Sequence, residues 1–267
     1  MTNLLLLDKD DTTRTWLATA CFMAAIIVVL TPAALIDTRV LDGVSVWSKP
    51  LKFAFALAIH FATLAVLAQL LSPESRGGRL LSRFVRISIT AALFEIAYIA
   101  FQAARGRHSH FNFATPFETG MYALMGIGAV LLVVTAFVLG LLLFRQRDGD
   151  RSALRLGAVI GLLLAPFLTL IVTGYMSGVV YSHWIGNSVS DATGMSLLGW
   201  SREVGDLRPS HFVALHAMQI LPLIGYAGDR FMPARARGIV WAMTFLIVVA
   251  TAALFIQALA GQPLWPR

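Results

Sequence analysis

The run "GIGAVLLVVTAFVLG" (residues 126–140) holds no charged side chain and sits inside an apolar segment that extends over 117–144. A helix rises about 1.5 Å per residue, and a bilayer core of about 30 Å needs roughly 20 residues, so this segment is long enough to cross a membrane. No soluble domain would bury so long a run on every face.

Working outward, six further apolar segments have comparable length: 16–36, 50–71, 84–104, 153–176, 209–227 and 238–260. The composition agrees, with 58% hydrophobic residues, 13% charged residues and a mean hydropathy of +0.76. The sequence therefore predicts an all-α, polytopic helical bundle of seven transmembrane helices, one transmembrane domain over 1–267. The longest gap, 177–208, is too short and too rich in Gly, Ser and Asp for a separate domain. The leader "MTNLLLLDKDDTTR" is acidic and the first apolar stretch is long, so that segment reads as a retained span rather than a cleaved signal.

The formal charge of +7 would suggest nucleic acid for a soluble chain. Here the cations follow topology instead, and no nucleic acid is expected. Arg76, Arg79, Arg83 and Arg86 share one connector; Arg145, Arg147, Arg151 and Arg155 share another; Arg230, Arg235 and Arg237 share a third. With Lys9 and Arg14 they place the amino terminus in the cytoplasm and the carboxyl terminus outside, in a multi-pass protein of a bacterial inner membrane. Cys21 is the single cysteine, which excludes an internal disulfide and a CxxC metal clasp.

On that topology the polar connector "ARGRHSHFN" (104–112) faces out. Counted from the outer ends of their spans, His60 lies roughly 15 Å deep, Glu95 roughly 14 Å, Gln219 roughly 15 Å and His216 roughly 10 Å, all in one layer. Glu95 is the only carboxylate in the middle of a span, where an ionised group costs about 2.5–3.5 kcal/mol or more unless paired or hydrated. It is expected to face the bundle interior. At 100° per residue, Ser88, Glu95, Tyr98 and Gln102 form one stripe on the third span, and Lys49, Phe53 and His60 another on the second.

These positions define the candidate site. Glu95 and His60 are the candidate acid–base residues, and His60, Glu95, His216 and His211 are the candidate ligands of iron, zinc or haem b. Gln102, Gln219 and Tyr98 would support such ligands, and Lys49, Lys52, Arg105, His110, Asn112 and Arg208 would form a rim for an anionic substrate. The five-residue separation of His211 and His216 argues against a metal pair on one helical face. Isolated Met121, Met125 and Met176 read as packing rather than copper ligands.

Two sets of chemistry fit these residues. One is a metal- or haem-dependent redox protein or metalloenzyme with an outward pocket. The other is a transporter or carrier for a small anionic or lipidic solute, in which Glu95 and His60 couple protons. A third reading is an assembly or sensory subunit whose polar stripes hold helices together. The expected partners are the lipid bilayer, a small-molecule ligand, and a second copy or a companion membrane complex.

The clusters "WSKPLKF" (47–53), "IAFQAARGRHSHFN" (99–112) and "RPSHFVALHAMQILP" (208–222) together resemble a family of bacterial membrane proteins of about seven helices. The resemblance implies a shared membrane fold and carries no activity. Microbial rhodopsins fit poorly, because no lysine follows Lys52 to hold retinal, and "HFVALH" has one residue too many for the HxxxH of the ceramidase-like hydrolases. "KPLKF" and "RPSHF" open the second and sixth spans alike, a short hint of a parallel repeat.

Overall fold

A computed structural model describes residues 10–146, 148–187, 190–196 and 198–266. Lys9 with the rest of the leader, and Arg147, lie outside the described residues, so their part in the topology rests on sequence. The chain divides into two compact units, Met1–Leu41 with Ser45–Gln146, and Asp42–Val44 with Arg147–Arg267.

The first unit is built from α1 (Asp11–Ile36), α2 (Ser48–Ala68), the short α3 (Pro73–Arg76), α4 (Arg79–Ala104) and α5 (Pro116–Arg145). α1 starts earlier than its apolar run because the Asp10 carboxylate caps it, accepting from the Thr13 N–H at 3.0 Å. α4 likewise begins at Arg79 rather than 84, since the basic turn Arg79–Arg83 is already helical. α2 packs against α1, and α5 against α4, over Trp16, Met23, Phe61, Leu81 and Leu139. Between α1 and α2, β1 (Val40–Leu41) and β2 (Val44–Ser45) form a hairpin whose turn, Asp42 and Gly43, has φ of 53° and 81°. An Asp-Gly pair supplies the two positive φ values that such a two-residue turn requires.

One end of this unit is stapled by polar contacts. Thr12 Oγ1 donates to the Arg76 carbonyl at 2.9 Å, and Arg76 Nη1 donates to Gln69 Oε1 at 2.6 Å. Gln146 Oε1 accepts from the Ser72 N–H at 2.7 Å, while Gln146 Nε2 donates to the Leu70 carbonyl at 3.1 Å. Arg76, which the sequence groups with the loop cations, is therefore buried, only 3% exposed. Its charge serves packing of the α2–α4 turn.

The second unit contains α6 (Ala153–Tyr175), continued by a π-helical turn Met176–Val180, then β3 (Trp184–Ile185), β4 (Gly205–Asp206), α7 (Arg208–Phe231) and α8 (Ala236–Leu259). β3 and β4 pair antiparallel, with Trp184 opposite Asp206. α6 and α7 are in intimate contact because Gly157 lies on the Leu221 carbonyl and Gly225 on the Ala153 carbonyl, where a Cβ would overlap backbone. Asp229 of α7 receives the Ala153 N–H at 2.9 Å and the Leu154 N–H at 2.8 Å, capping α6 from a neighbouring helix.

Six helices among the described residues are long and apolar enough to cross a membrane: α1, α2, α4, α5, α6 with its π turn, and α8. The expected span at 209–227 forms as α7, a 24-residue helix, but its Arg208, His211, His216, Asp229 and Arg230 leave it less apolar than the other six. The outward faces of α1 and α8 carry Val28, Val29, Leu35, Phe245 and Ile256, all exposed, as contact with lipid acyl chains requires.

Candidate functional site

In the first unit, the stripe expected on α4 is buried as a whole: Ser88, Glu95, Tyr98 and Gln102 all face the interior. Their spacing is the reason, since positions seven, ten and fourteen residues apart return to one side of a 3.6-residue helix. Glu95 is 3% exposed. Its nearest ionisable partner is His110, whose Nε2 lies 3.8 Å from Glu95 Oε1. That contact is longer than a hydrogen bond. The Lys49 charge, from the first turn of α2, also acts on Glu95.

This geometry revises the role read for "ARGRHSHFN". The connector does not merely cap the outer surface; it folds back so that His110 reaches a carboxylate in the middle of a span. The His110 ring packs 5.3 Å from Phe53 and 5.9 Å from Tyr122, centroid to centroid. Ser109 Oγ lies 3.1 Å from His110 Nδ1. When that hydroxyl donates to Nδ1, the ring proton sits on Nε2, the nitrogen turned toward Glu95.

A latch made of Arg107, Glu118 and Gln102 fixes the fold-back. Arg107 meets Glu118 in fork geometry, Nε to Oε1 at 2.7 Å and Nη2 to Oε2 at 2.7 Å. Gln102 Nε2 donates to Glu118 Oε1 at 3.2 Å and to the His108 carbonyl at 2.9 Å. Asn112 Nδ2 donates to the same carbonyl at 2.8 Å, and Arg105 Nη1 donates to Gln102 Oε1 at 2.9 Å. Gly106 and Phe111, at φ of 64° and 51°, turn the chain at the two ends of the excursion. Gln102 and Asn112 thus hold the connector, and Arg105 is exposed over the Phe101 ring at 5.2 Å.

Arg107 reads from sequence as a headgroup anchor beside Arg105, whereas the structure makes it the partner of Glu118, a residue that sequence reasoning missed. The signal for Glu118 is present in "TPFE" (115–118), a Thr-x-x-Glu capping box in which Thr115 Oγ1 accepts from the Glu118 N–H at 3.2 Å and donates to Glu118 Oε2 at 3.1 Å.

His60 is buried in α2, and its Nε2 has no hydrogen-bond partner among the described residues. The Tyr98 hydroxyl is likewise without a partner among them, in a cluster with Ile99 and Met125 flanked by Phe53 and Tyr122. Lys52 is exposed.

The remaining candidates lie in the second unit. Arg208 is a hub: Nη1 and Nη2 donate to the two Asp191 oxygens at 2.9 and 2.7 Å, Nε donates to Asp206 Oδ1 at 3.0 Å, and Nη2 also reaches Asp206 Oδ2 at 2.7 Å and the Gly199 carbonyl at 2.8 Å. The Trp184 ring lies 5.8 Å from the guanidinium carbon. Every nitrogen of the rim cation expected at Arg208 is therefore engaged within the protein. His216 sits one turn from Gln219 on α7 and packs against Phe212 at 4.1 Å. His211 Nδ1 is buried with no partner among the described residues.

The expected ligands thus divide between the units, His60 and Glu95 in the first and His211 and His216 in the second. Among the described residues, no group of three His, Cys, Asp or Glu side chains is gathered to hold a metal ion. No protein-family model, curated protein or solved structure matches the chain.

Proposed function

We propose that the protein is a proton-linked carrier of a small anionic or lipidic solute, working at the outer end of its first unit. The observation that carries this reading is a carboxylate buried in a membrane-spanning helix whose nearest ionisable partner is an imidazole 3.8 Å away, on a connector folded back to reach it. Ionisable groups at such depth are expensive and mark ion or substrate paths.

Charge balance supplies the coupling. Ionised Glu95 is answered by the Lys49 charge and by the His110 Nε2 beside it; an anion entering next to those two groups competes for them, and Glu95 then takes up a proton. His110 replaces His60 as the imidazole partner of Glu95. His60 and Tyr98, with unspent hydrogen-bonding capacity among the described residues, line the same unit as polar contacts for a solute. A protein-held metal ion has no group of three His, Cys, Asp or Glu side chains to support it among the described residues.

In this proposal the chain crosses a bacterial inner membrane seven times, with the amino terminus in the cytoplasm and the carboxyl terminus outside. The alternation of Arg-rich connectors supports that topology. α7 serves as the additional span, since its end charges are met by protein groups, Arg208 by two aspartates and Asp229 by the α6 N–H groups.

The test is transport in liposomes that hold the purified protein and a pH-sensitive dye. With lactate, succinate or phosphate supplied outside, wild-type vesicles are expected to acidify as one of these anions enters, and Glu95→Gln vesicles are not. Equal acidification by the Glu95→Gln protein refutes the proposal.

A further inference from the structure

At the stapled end of the first unit, five arginines stand exposed: Arg14 on α1, Arg79, Arg83 and Arg86 on α4, and Arg145 on α5. The staple brings these helix ends together, because Thr12 bonds to Arg76 just before α4, and Gln146, which follows α5, bonds to Leu70 and Ser72 just before α3. None of the five guanidinium groups makes a hydrogen bond or ion pair among the described residues. Only Asp11 and Glu74 offer exposed negative charge in these same segments.

Several cations of the second unit are engaged by neighbouring groups. Arg155 is paired with Asp148 at 2.8 Å, Arg237 Nη1 donates to the Arg151 carbonyl at 3.0 Å, and the Arg230 guanidinium lies over the Phe231 ring at 5.7 Å. Arg151 and Arg235, exposed in the second unit, also have no side-chain partner among the described residues, so what marks the α1, α4 and α5 ends is the gathering of several such cations by the staple.

The placement on α4 is costly unless an anion answers it. Arg79, Arg83 and Arg86 follow one another at four and three residues, so they share one face of the first two turns. The amino end of a helix carries positive partial charge, and α4 has no acidic residue in its first turn to offset it. Helical side chains also lean toward the amino terminus. An arginine two turns inside, such as Arg86, can thereby extend toward the amino end of α4, as a cation does when it reaches from the hydrocarbon edge to the headgroups.

We infer that this arginine face is a binding surface for anionic phospholipid headgroups, recognised through their phosphodiester charge. Guanidinium groups match phosphate oxygens in fork geometry, and the patch flanks helices whose apolar lengths set it at the membrane surface. The surface is separate from the Glu95 site and independent of the transport reading.

The test uses the purified full-length protein in a neutral detergent, adding phosphatidylglycerol or phosphatidylcholine and following thermal unfolding and retained lipid phosphorus. Wild type is expected to retain phosphatidylglycerol selectively and to unfold at a higher temperature with it. R79Q/R83Q/R86Q is expected to lose affinity about five-fold per arginine, on the order of a hundred-fold in all. R79K/R83K/R86K keeps the charge and is expected to keep most of the selectivity, which separates a binding defect from a folding defect. Equal response to phosphatidylcholine, full selectivity in R79Q/R83Q/R86Q, or equal stabilisation by soluble glycerol phosphate each overturns the inference.

Discussion

Glu95 in the first unit and Arg208 in the second are both charged residues taken well out of solvent, and they are handled in opposite ways. Arg208 is saturated, since two carboxylates and a carbonyl take up all three of its nitrogens. Glu95 is underserved, with an imidazole at 3.8 Å and a lysine charge nearby. A group whose hydrogen-bonding valences are all filled by the protein has no capacity left for a ligand and acts as scaffold. A group held near a partner but short of a bond can exchange that partner, which is what a carrier requires.

The contrast breaks most sharply at Arg208. Arg208→Ala leaves the buried Asp206 and the half-buried Asp191 without their cation, and stability is expected to fall by about 3 kcal/mol, read from detergent-solubilised thermal or denaturant unfolding. A loss below about 1 kcal/mol would show that the hub is solvated rather than structural. Arg107→Gln comes next. It removes a two-pronged contact to Glu118, but the Arg107 side chain is 39% exposed, so water tempers the loss to about 1 kcal/mol. The more telling readout is local: proteolysis or hydrogen exchange within 105–115 should rise while the rest of the helices stay protected.

Glu95→Gln sharpens the comparison from the other side. It is expected to abolish the proposed proton-linked uptake and to leave stability unchanged or slightly higher, because a neutral amide is cheaper than a carboxylate at that depth. Destabilisation as large as that of Arg208→Ala would make Glu95 a structural ion as well. The smallest effect belongs to Asp37, whose carboxyl is held below the usual range by hydrogen bonds from the Arg39 side chain, then the Arg39 N–H and the Trp47 indole at 2.8 Å. A depressed value stabilises the fold above the ordinary carboxylate range, and the effect is lost only as pH falls through the lowered one. The fluorescence difference between wild type and Asp37→Asn should accordingly hold steady down to about pH 4 and close only in stronger acid.

The difference between these two sites also marks what sequence can convey. Hydropathy located the long helices, and the seven-, ten- and fourteen-residue spacing put Ser88, Glu95, Tyr98 and Gln102 on one buried face, because helical periodicity is a local property. The partner of Glu95 is not local. His110 follows it by fifteen residues across a bend at Gly106, and nothing in "RGRHSHF" distinguishes an inward fold from an exposed rim until Glu118 and Gln102 are seen to clasp Arg107 and His108. Arg76 misled for the same reason: in sequence it is one more loop cation, and only its contacts with Gln69 and Thr12 bury it. The aspartates that fill Arg208 come from a Gly- and Ser-rich connector where no periodicity operates. α7 was legible as a helix but is less apolar than a free-standing span, because its charged ends are answered by other parts of the chain.

The Asp229 carboxylate closes the amino end of α6 from a position 76 residues further along the chain. Translation proceeds from the amino terminus, so α6 emerges with its local Ser152 cap, whose hydroxyl accepts from the Arg155 N–H at 3.2 Å, long before Asp229 exists. The Ala153 and Leu154 N–H groups must wait for α7 to arrive, and the two helices settle as a pair. Truncation before residue 229 would therefore leave two N–H groups of that turn unmet as well as shortening the protein.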